Sequence, residues 1–324
     1  MRIVMMGTGM FAEPTFEALL AGPHPVVGLV TQPDRSVGQE RGSTRQLGRG
    51  MKTIAAEKSI PVIQPESINT PEGLAGLQAL QLDLLVVAAY GQILSKEVLG
   101  VPAHGGINVH ASLLPKYRGA APIAWAIYHG ERETGVTIIR MTTGLDAGDM
   151  LAQQAISIGA DETAGELEAR LAPLGAQLAI MVIGQMQSGK VSGIPQDKSQ
   201  ATKAPKLTKE HGLLDWSRPA RDVCNQIRAM SPWPTAYTFL HRSKETALRF
   251  IVHRAVPLDR QTELPPGQLL LDEPKPTGLR VATGAGTAVE ILELQPAGKK
   301  RMAAMEFLRG VRLHQGDHLG SAAL

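Results

Sequence analysis

The sequence predicts an α/β domain with a largely parallel sheet, followed by a small, mainly β domain. Three observations carry this reading. Strand-like and helix-like segments alternate from the N-terminus to about Met186, the pattern of a sheet wound with helices. The strand segment Leu82–Ala89 is strongly aliphatic, as in strands buried on both faces. Beyond Gly212 the segments become short, β-like and separated by turn residues, which suits a small barrel. A length of 324 residues fits about two domains.

In chain order, Arg2–Met6 reads as a strand, Gly7-Thr8-Gly9 as a turn and Ala12–Leu20 as a helix. Val26–Thr31 follows as a strand. Met51–Lys58 is helical and Val62–Gln64 a short strand. Pro71–Leu80 is a helix, opened by its proline. Leu82–Ala89 and Gly106–His110 are strands, Pro122–His129 a helix, and Gly135–Arg140 and Met150–Ile158 further strands. Glu162–Met186 has helical periodicity, with Leu167, Leu171, Leu174, Leu178 and Val182 on one stripe. A polar stretch from Ser188 to about Gly212 reads as the connection. The domains are therefore set at 1–188 and 207–324, with a linker at 189–206. The second domain is expected to hold strands at Ala247–Ala255, Gly267–Leu271, Gly278–Ala282 and Thr287–Gln295.

Composition narrows the class. Hydrophobic residues make up 43% and charged residues 19%, which excludes wholesale disorder. Aromatic residues are only 4%, so the core must be built from Val, Ile, Leu, Ala and Met. The single cysteine, Cys224, cannot form an intramolecular disulfide, and no Cys/His cluster points to a metal. No apolar run is long enough for a membrane span, and the N-terminal run is too short for a signal peptide, so a cytoplasmic protein is expected.

The net charge of +3 is unevenly spread. Residues 1–206 hold 17 Lys and Arg against 18 Asp and Glu, while residues 207–324 hold 16 against 12. The second domain is thus the basic one. Within the first, Asp34–Lys52 concentrates Arg35, Arg41, Arg45, Arg49 and Lys52 on a long loop. A solvated surface loop is the plain explanation. Loops of this length inside an α/β unit are often functional, and basic charge on such a loop suits an anionic partner such as nucleic acid.

Gly7-x-Gly9-x-x-Ala12 imitates the Rossmann dinucleotide fingerprint. The second strand, however, ends in Thr31-Gln32 and not in the acid that would hold a ribose. The glycines are read as a tight strand-to-helix turn, and no nucleotide cofactor is assigned.

The most informative stretch is Ile107-Asn108-Val109-His110-Ala111-Ser112-Leu113-Leu114-Pro115-Lys116-Tyr117-Arg118-Gly119-Ala120-Ala121-Pro122. On a strand, Asn108 and His110 are two apart and share a face, near the carboxyl end where open α/β sheets place ligands. An amide donor beside an imidazole suits acyl transfer: Asn can hold a developing oxyanion, and His exchanges protons near neutrality. A purely structural buried pair fits the same pattern. A second stretch, Thr142-Thr143-Gly144-Leu145-Asp146-Ala147-Gly148-Asp149-Met150, carries two carboxylates after a strand. Either could orient His110, and either could simply form a turn.

Together these motifs resemble the 10-formyltetrahydrofolate-dependent formyltransferase family. The Asn-x-His strand, Ser-Leu-Leu-Pro, Arg-Gly-Ala-Ala-Pro and Gly-Leu-Asp-x-Gly-Asp occur in that family in this order. The chain as a whole is similar to the tRNA-formylating members, through Thr31-Gln32-Pro33-Asp34-Arg35, Val87-Ala88-Ala89-Tyr90-Gly91, Leu214-Asp215-Trp216-Ser217, Pro232-Trp233-Pro234 and Gln295-Pro296-Ala297-Gly298-Lys299-Lys300. The resemblance implies a Rossmann-like catalytic domain followed by an oligonucleotide-binding-like barrel. It implies that Asn108, His110 and Asp146 form the catalytic group. Ser112, Leu113, Leu114 and Pro115 would lie on the folate, and the backbone of Gln92, Ile93 and Leu94 would cradle its pteridine. Arg35, Arg41, Arg45 and Arg49 would embrace the acceptor end of the tRNA, with Lys206, Lys209, Lys299 and Lys300 as further tRNA contacts. The implied substrate is initiator methionyl-tRNA and the co-substrate 10-formyltetrahydrofolate, with no metal, no membrane partner and a monomeric enzyme. The basic loop departs from the family's Pro- and Lys-rich version and is a few residues longer, which leaves open which arginine meets the tRNA. The alternatives are a formyltransferase for a purine precursor or an amino sugar, which would not need the basic second domain, and a non-enzymatic RNA-binding protein on the same fold.

Overall fold

The computed structural model describes residues 1–34, 49–243, 245–271 and 278–322. The chain divides into two compact units. The first comprises Met1–Ile123, Arg132–Ile158 and Glu166–Lys206, and the second Ala124–Glu131, Gly159–Gly165 and Leu207–Leu324.

The first unit is built on β1 (Ile3–Gly7), α1 (Glu13–Ala21), β2 (Val26–Val30), α2 (Met51–Glu57), β3 (Val62–Ile63), α3 (Pro71–Ala79), β4 (Leu84–Ala88), α4 (Lys96–Leu99) and β5 (Gly106–His110). The chain continues through β6 (Arg118–Gly119), α5 (Pro122–Tyr128), which passes into the second unit at Ala124, and then β7 (Glu133–Arg140), β8 (Met150–Ser157), α6 (Ala164–Gln187) and β9 (Lys203–Ala204). Seven strands form one sheet in the order β3-β2-β1-β4-β5-β7-β8. The first five are parallel, and β7 and β8 run antiparallel on the edge.

The continuous aliphatic runs have a direct cause. Val4 and Met6 of β1 pack with Val30, Leu85, Val87, Leu77 of α3 and Val98 of α4. Ile3, on the opposite face of the same strand, lies beside Leu19 of α1 and Ile180 and Ile183 of α6. Both faces of the strand are covered, so no position can be polar. Gly7 closes β1 because an added Cβ would lie 2.7 Å from the Ala12 Cβ and 2.9 Å from the Ala88 carbonyl. The dinucleotide-like glycine thus serves close packing of the strand-to-helix turn. The 24-residue α6 passes a length and composition test for a membrane span, but half of its most apolar window is buried.

The second unit holds α7 (Ala220–Ala229), β10 (Ala236–His241), β11 (Leu248–Leu258), β12 (Leu279–Ala282), β13 (Ala288–Pro296), β14 (Met302–Ala303), α8 (Ala304–Gly310) and β15 (His318–Gly320). Its antiparallel sheet runs β12-β13-β11-β10-β15, with β14 beside β13. Bridges from Gln268 to His318 and from Leu269 to Val281 link the two edges, which makes the sheet nearly a barrel. The strand expected over Gly267–Leu271 is reduced to these two bridges. Helix α7 and strand β10 are additions to the sequence expectation. The α7 signal is present, with Ala220, Val223, Cys224 and Ile227 at helical spacing, but Asn225 and Gln226 are also buried and blur the stripe.

Candidate active site

Strand β5 ends at the carboxyl edge of the sheet between β4 and β7, with Asn108 opposite Val87 and Ile139, and His110 opposite Thr137. The alternation of a strand sends Asn108 and His110 to one face, where both meet Asp146. Asn108 Nδ2 donates to Asp146 Oδ1 at 3.3 Å, and Asp146 Oδ2 lies 3.6 Å from His110 Nδ1. The Gly119 backbone N–H donates to the same Oδ2 at 2.8 Å. His110 Nε2 lies 2.9 Å from the Tyr117 carbonyl. A carbonyl only accepts, so this nitrogen carries a proton and Nδ1 is left as the one that faces the carboxylate.

The site is largely buried and tightly held. The His110 side chain is 5% exposed and that of Asp146 10%. Asp146 (φ 46°) and Tyr117 (φ 62°) both have left-handed backbones. That conformation costs a non-glycine residue about 1–2 kcal/mol and persists only where the surroundings enforce it. Of the two carboxylates in this loop, Asp146 reaches His110 and Asp149 is directed elsewhere, its Cβ packed close to Gly193.

The Ser112–Pro115 segment is fixed beside this group. The Thr137 hydroxyl donates to the Ser112 carbonyl at 2.6 Å and accepts from the Leu114 N–H at 3.1 Å. Gln153 Nε2 donates to the Leu114 carbonyl at 2.9 Å. Ser112 is fully buried, its hydroxyl donating to the Lys116 carbonyl at 2.7 Å; Leu114 is buried, and Leu113 and Pro115 are half-buried. The neighbouring loop, after β4, carries Gln92, Ile93 and Leu94. The Gln92 side chain is engaged with Ile68 N–H and the Glu66 carbonyl, Asn69 holds the Ile93 carbonyl, and the Ile93 side chain is 67% exposed. The Gln92 and Leu94 N–H groups have no acceptor among the described residues, which leaves two donors at the rim. Gln32 Nε2 donates to the Tyr90 carbonyl at 3.0 Å and ties the start of the basic loop to this rim. The Tyr90 ring lies in the aliphatic core, where burial pushes its hydroxyl up to about 12.

Arg35, Arg41 and Arg45 lie outside the described residues. Arg49 is ion-paired with Glu57 and lies 3.6 Å from Glu17. Its backbone N–H and that of Gly50 donate to Glu13, so Arg49 anchors the end of the basic loop to α1 and α2. Lys206, Lys209, Lys299 and Lys300 are exposed. Lys299 and Lys300 sit on the turn joining β13 and β14, where Lys299 N–H donates to the Pro296 carbonyl at 3.0 Å. The structure therefore brings Asn108, His110 and Asp146 together.

Sequence reasoning misses three partners: the Tyr117 carbonyl, the Gly119 N–H and Gln196. The first two are backbone atoms, invisible to a search for side-chain chemistry. Gln196 lies in the stretch expected as a linker and carries no local pattern. Among the described residues no group of three or more His, Cys, Asp or Glu could hold a metal ion.

The chain matches known proteins along nearly its whole length. Residues 1–183 match the family described as Formyl transferase, and residues 206–312 match Formyl transferase, C-terminal domain. The methionyl-tRNA formyltransferase of Citrifermentans bemidjiense is 45% identical over 320 residues, which cover 99% of this chain and 96% of that protein. That of Bacillus subtilis is 42% identical over 319 residues, 98% of each chain. Among solved structures, an N-formyltransferase from Helicobacter canadensis, in complex with folinic acid and dTDP-3-aminofucose, superposes with a TM-score of 0.64 at 16% identity, over 90% of this chain and 98% of that one. At that identity the likeness is one of fold.

Proposed function

The chain belongs to the formyl transferase family, and from that membership we propose that it transfers the formyl group of 10-formyltetrahydrofolate to the α-amine of methionine on initiator tRNA, making formylmethionyl-tRNA for translation initiation. The observation that carries the choice of substrate is coverage: the relatives of that name match this chain from end to end, second domain included. In this reading it is a cytoplasmic enzyme acting as a monomer.

The α-amine, with a pKa of about 7.7–8.0, must lose a proton before it can attack the formyl carbon. As the new C–N bond forms, negative charge grows on the formyl oxygen. Asn108 has a second Nδ2 proton not given to Asp146, and it donates that proton to this oxygen. His110 is pinned through Nε2 by Tyr117, so in the imidazolium form Nδ1–H is the donor that faces substrate. The 3.6 Å gap to Asp146 is too long for a hydrogen bond and leaves that proton uncommitted. Asp146 keeps the imidazole in place and, through a water, passes the proton from the amine to N10 as the N10–formyl bond breaks. The Gln92 and Leu94 N–H groups supply donors for the pteridine edge, with Ser112–Pro115 as the opposing wall. Lys206, Lys209, Lys299 and Lys300, with the arginines of the basic loop, meet tRNA phosphates.

The deciding experiment is a formylation assay with charged initiator tRNA and 10-formyltetrahydrofolate, run beside free methionine. Formylation of the tRNA with little of the free amino acid is expected. Activity on free methionine and none on the tRNA would overturn the assignment.

A further inference from the structure

The stretch between the two sequence domains enters the site. Gly193–Ala204 runs back along the first unit: Met150 and Ile194 exchange both backbone hydrogen bonds at 2.9 Å, and β9 pairs with β6. The Gln196 side chain, 9% exposed, reaches the carboxylate loop. Its Nε2 donates to the carbonyls of Asp146 and Gly148, both at 2.8 Å. Its Oε1 accepts from Arg118 Nε at 3.1 Å and Nη2 at 2.7 Å. A guanidinium only donates, so the amide has one orientation, and all four contacts fail if it flips. On the other side of the histidine, Thr202 Oγ1 accepts from the Tyr117 N–H at 2.8 Å, next to the carbonyl that holds His110 Nε2.

We propose that Gln196 is a positioning residue for formyl transfer: by gripping the carbonyls of Asp146 and Gly148 it holds Asp146 in its left-handed turn, and so sets the carboxylate against Asn108, Gly119 and His110. The proposal rests on the formyl-transfer reading above. Gln196 touches none of the reacting atoms in this account and acts only through Asp146. The connecting segment is then part of the catalytic apparatus, and residues 1–188 alone lack one of its supports.

The test uses the full chain and Gln196→Met, which keeps the volume and removes the polar grip. A misplaced loop is expected to lower kcat roughly 10- to 100-fold, with KM for tRNA and folate changed by less than about twofold. In an Asp146→Asn background the same substitution is expected to add little, because residues acting as one unit are not additive. A normal kcat, a loss confined to KM, or a full multiplicative loss on top of Asp146→Asn would each overturn the proposal. A crystal structure of Gln196→Met supplies a readout without substrate. Asp146 is expected to leave the left-handed region and its contact with the Gly119 N–H, and an unmoved loop sinks the proposal whatever the assay shows. Failure of the unsubstituted chain to formylate tRNA, with the loop displaced in the variant, would sink only the choice of substrate.

Discussion

The candidate site in the first unit and the basic turn in the second use their polar side chains in opposite ways. In the first, Asn108, His110, Asp146 and Gln196 point inward and are held by internal contacts, with the His110 and Asp146 side chains largely buried. In the second, Lys299 and Lys300 stand exposed on the turn between β13 and β14. Chemistry at one carbon requires a few groups placed within a fraction of an ångström. Holding a phosphate backbone requires charge, and charge acts over a Debye length with little regard for exact placement. The first unit should therefore be steeply sensitive to single substitutions and the second shallowly so.

The largest expected effect lies at the reacting group. His110→Ala or Asn108→Ala should lower kcat by about 10²–10³ while the fold survives. Near-normal turnover in a folded variant would remove these residues from the mechanism.

A pair of glycines sharpens the contrast. A Cβ at Gly148 would lie 1.8 Å from the Arg140 carbonyl, beside Asp146, whereas a Cβ at Gly298, on the basic turn (φ 72°), meets nothing within 4 Å. Gly148→Ala should destabilise by roughly 1–3 kcal/mol through overpacking and depress kcat with it. Gly298→Ala should cost about 1 kcal/mol from the positive φ alone and spare kcat. Thermal melts and turnover of both variants make the comparison, and equal losses would erase the distinction between the units.

The basic turn itself should show up in salt dependence. Replacing Lys299 and Lys300 by Ala should weaken tRNA binding and flatten the dependence of log affinity on log salt by about 0.7–0.9 for each phosphate that is no longer neutralised, with kcat kept at saturating tRNA. A parallel, unflattened salt plot would show that the turn meets no phosphate.

The smallest effect concerns Cys224, whose thiol is pushed by burial up to about 12. Alkylation of the folded protein at pH 8 should be very slow and should not precede unfolding. A folded value above the unfolded one means that stability is complete below the unfolded value and is lost as pH rises toward about 12. Cys224→Ala should lessen that alkaline loss, which melts at stepped pH would measure.

Legibility in the sequence follows the range of the interactions. Strands β1 and β4 can be read because burial on both faces forces aliphatic runs. Asn108 and His110 can be paired because the period of a strand is two. Asp146 is one of two candidate carboxylates in its loop on spacing alone, and the family resemblance singles it out. Strand β10 escapes the reading because aromatic Tyr237 and Phe239 stand on its less buried face, and helix α7 because Asn225 and Gln226 are buried beside its apolar stripe. Residues 189–206 look like a tether because the hydrogen bonds of Ile194, Gln196 and Thr202 go to distant partners and leave no local pattern.

The sequence by itself thus determined the wound sheet, the face that carries the amide and imidazole, and the charge difference between the halves, since all three follow from local periodicity and composition. Only the tertiary structure decided which atoms of His110 are committed, why Asp146 can hold a left-handed turn, and that Gln196 belongs to the site. Those depend on contacts that range from 7 positions apart, between His110 and Tyr117, to 78, between Arg118 and Gln196. No local pattern encodes them, because they exist only once the chain has brought the strand ends and the returning segment to one edge of the sheet.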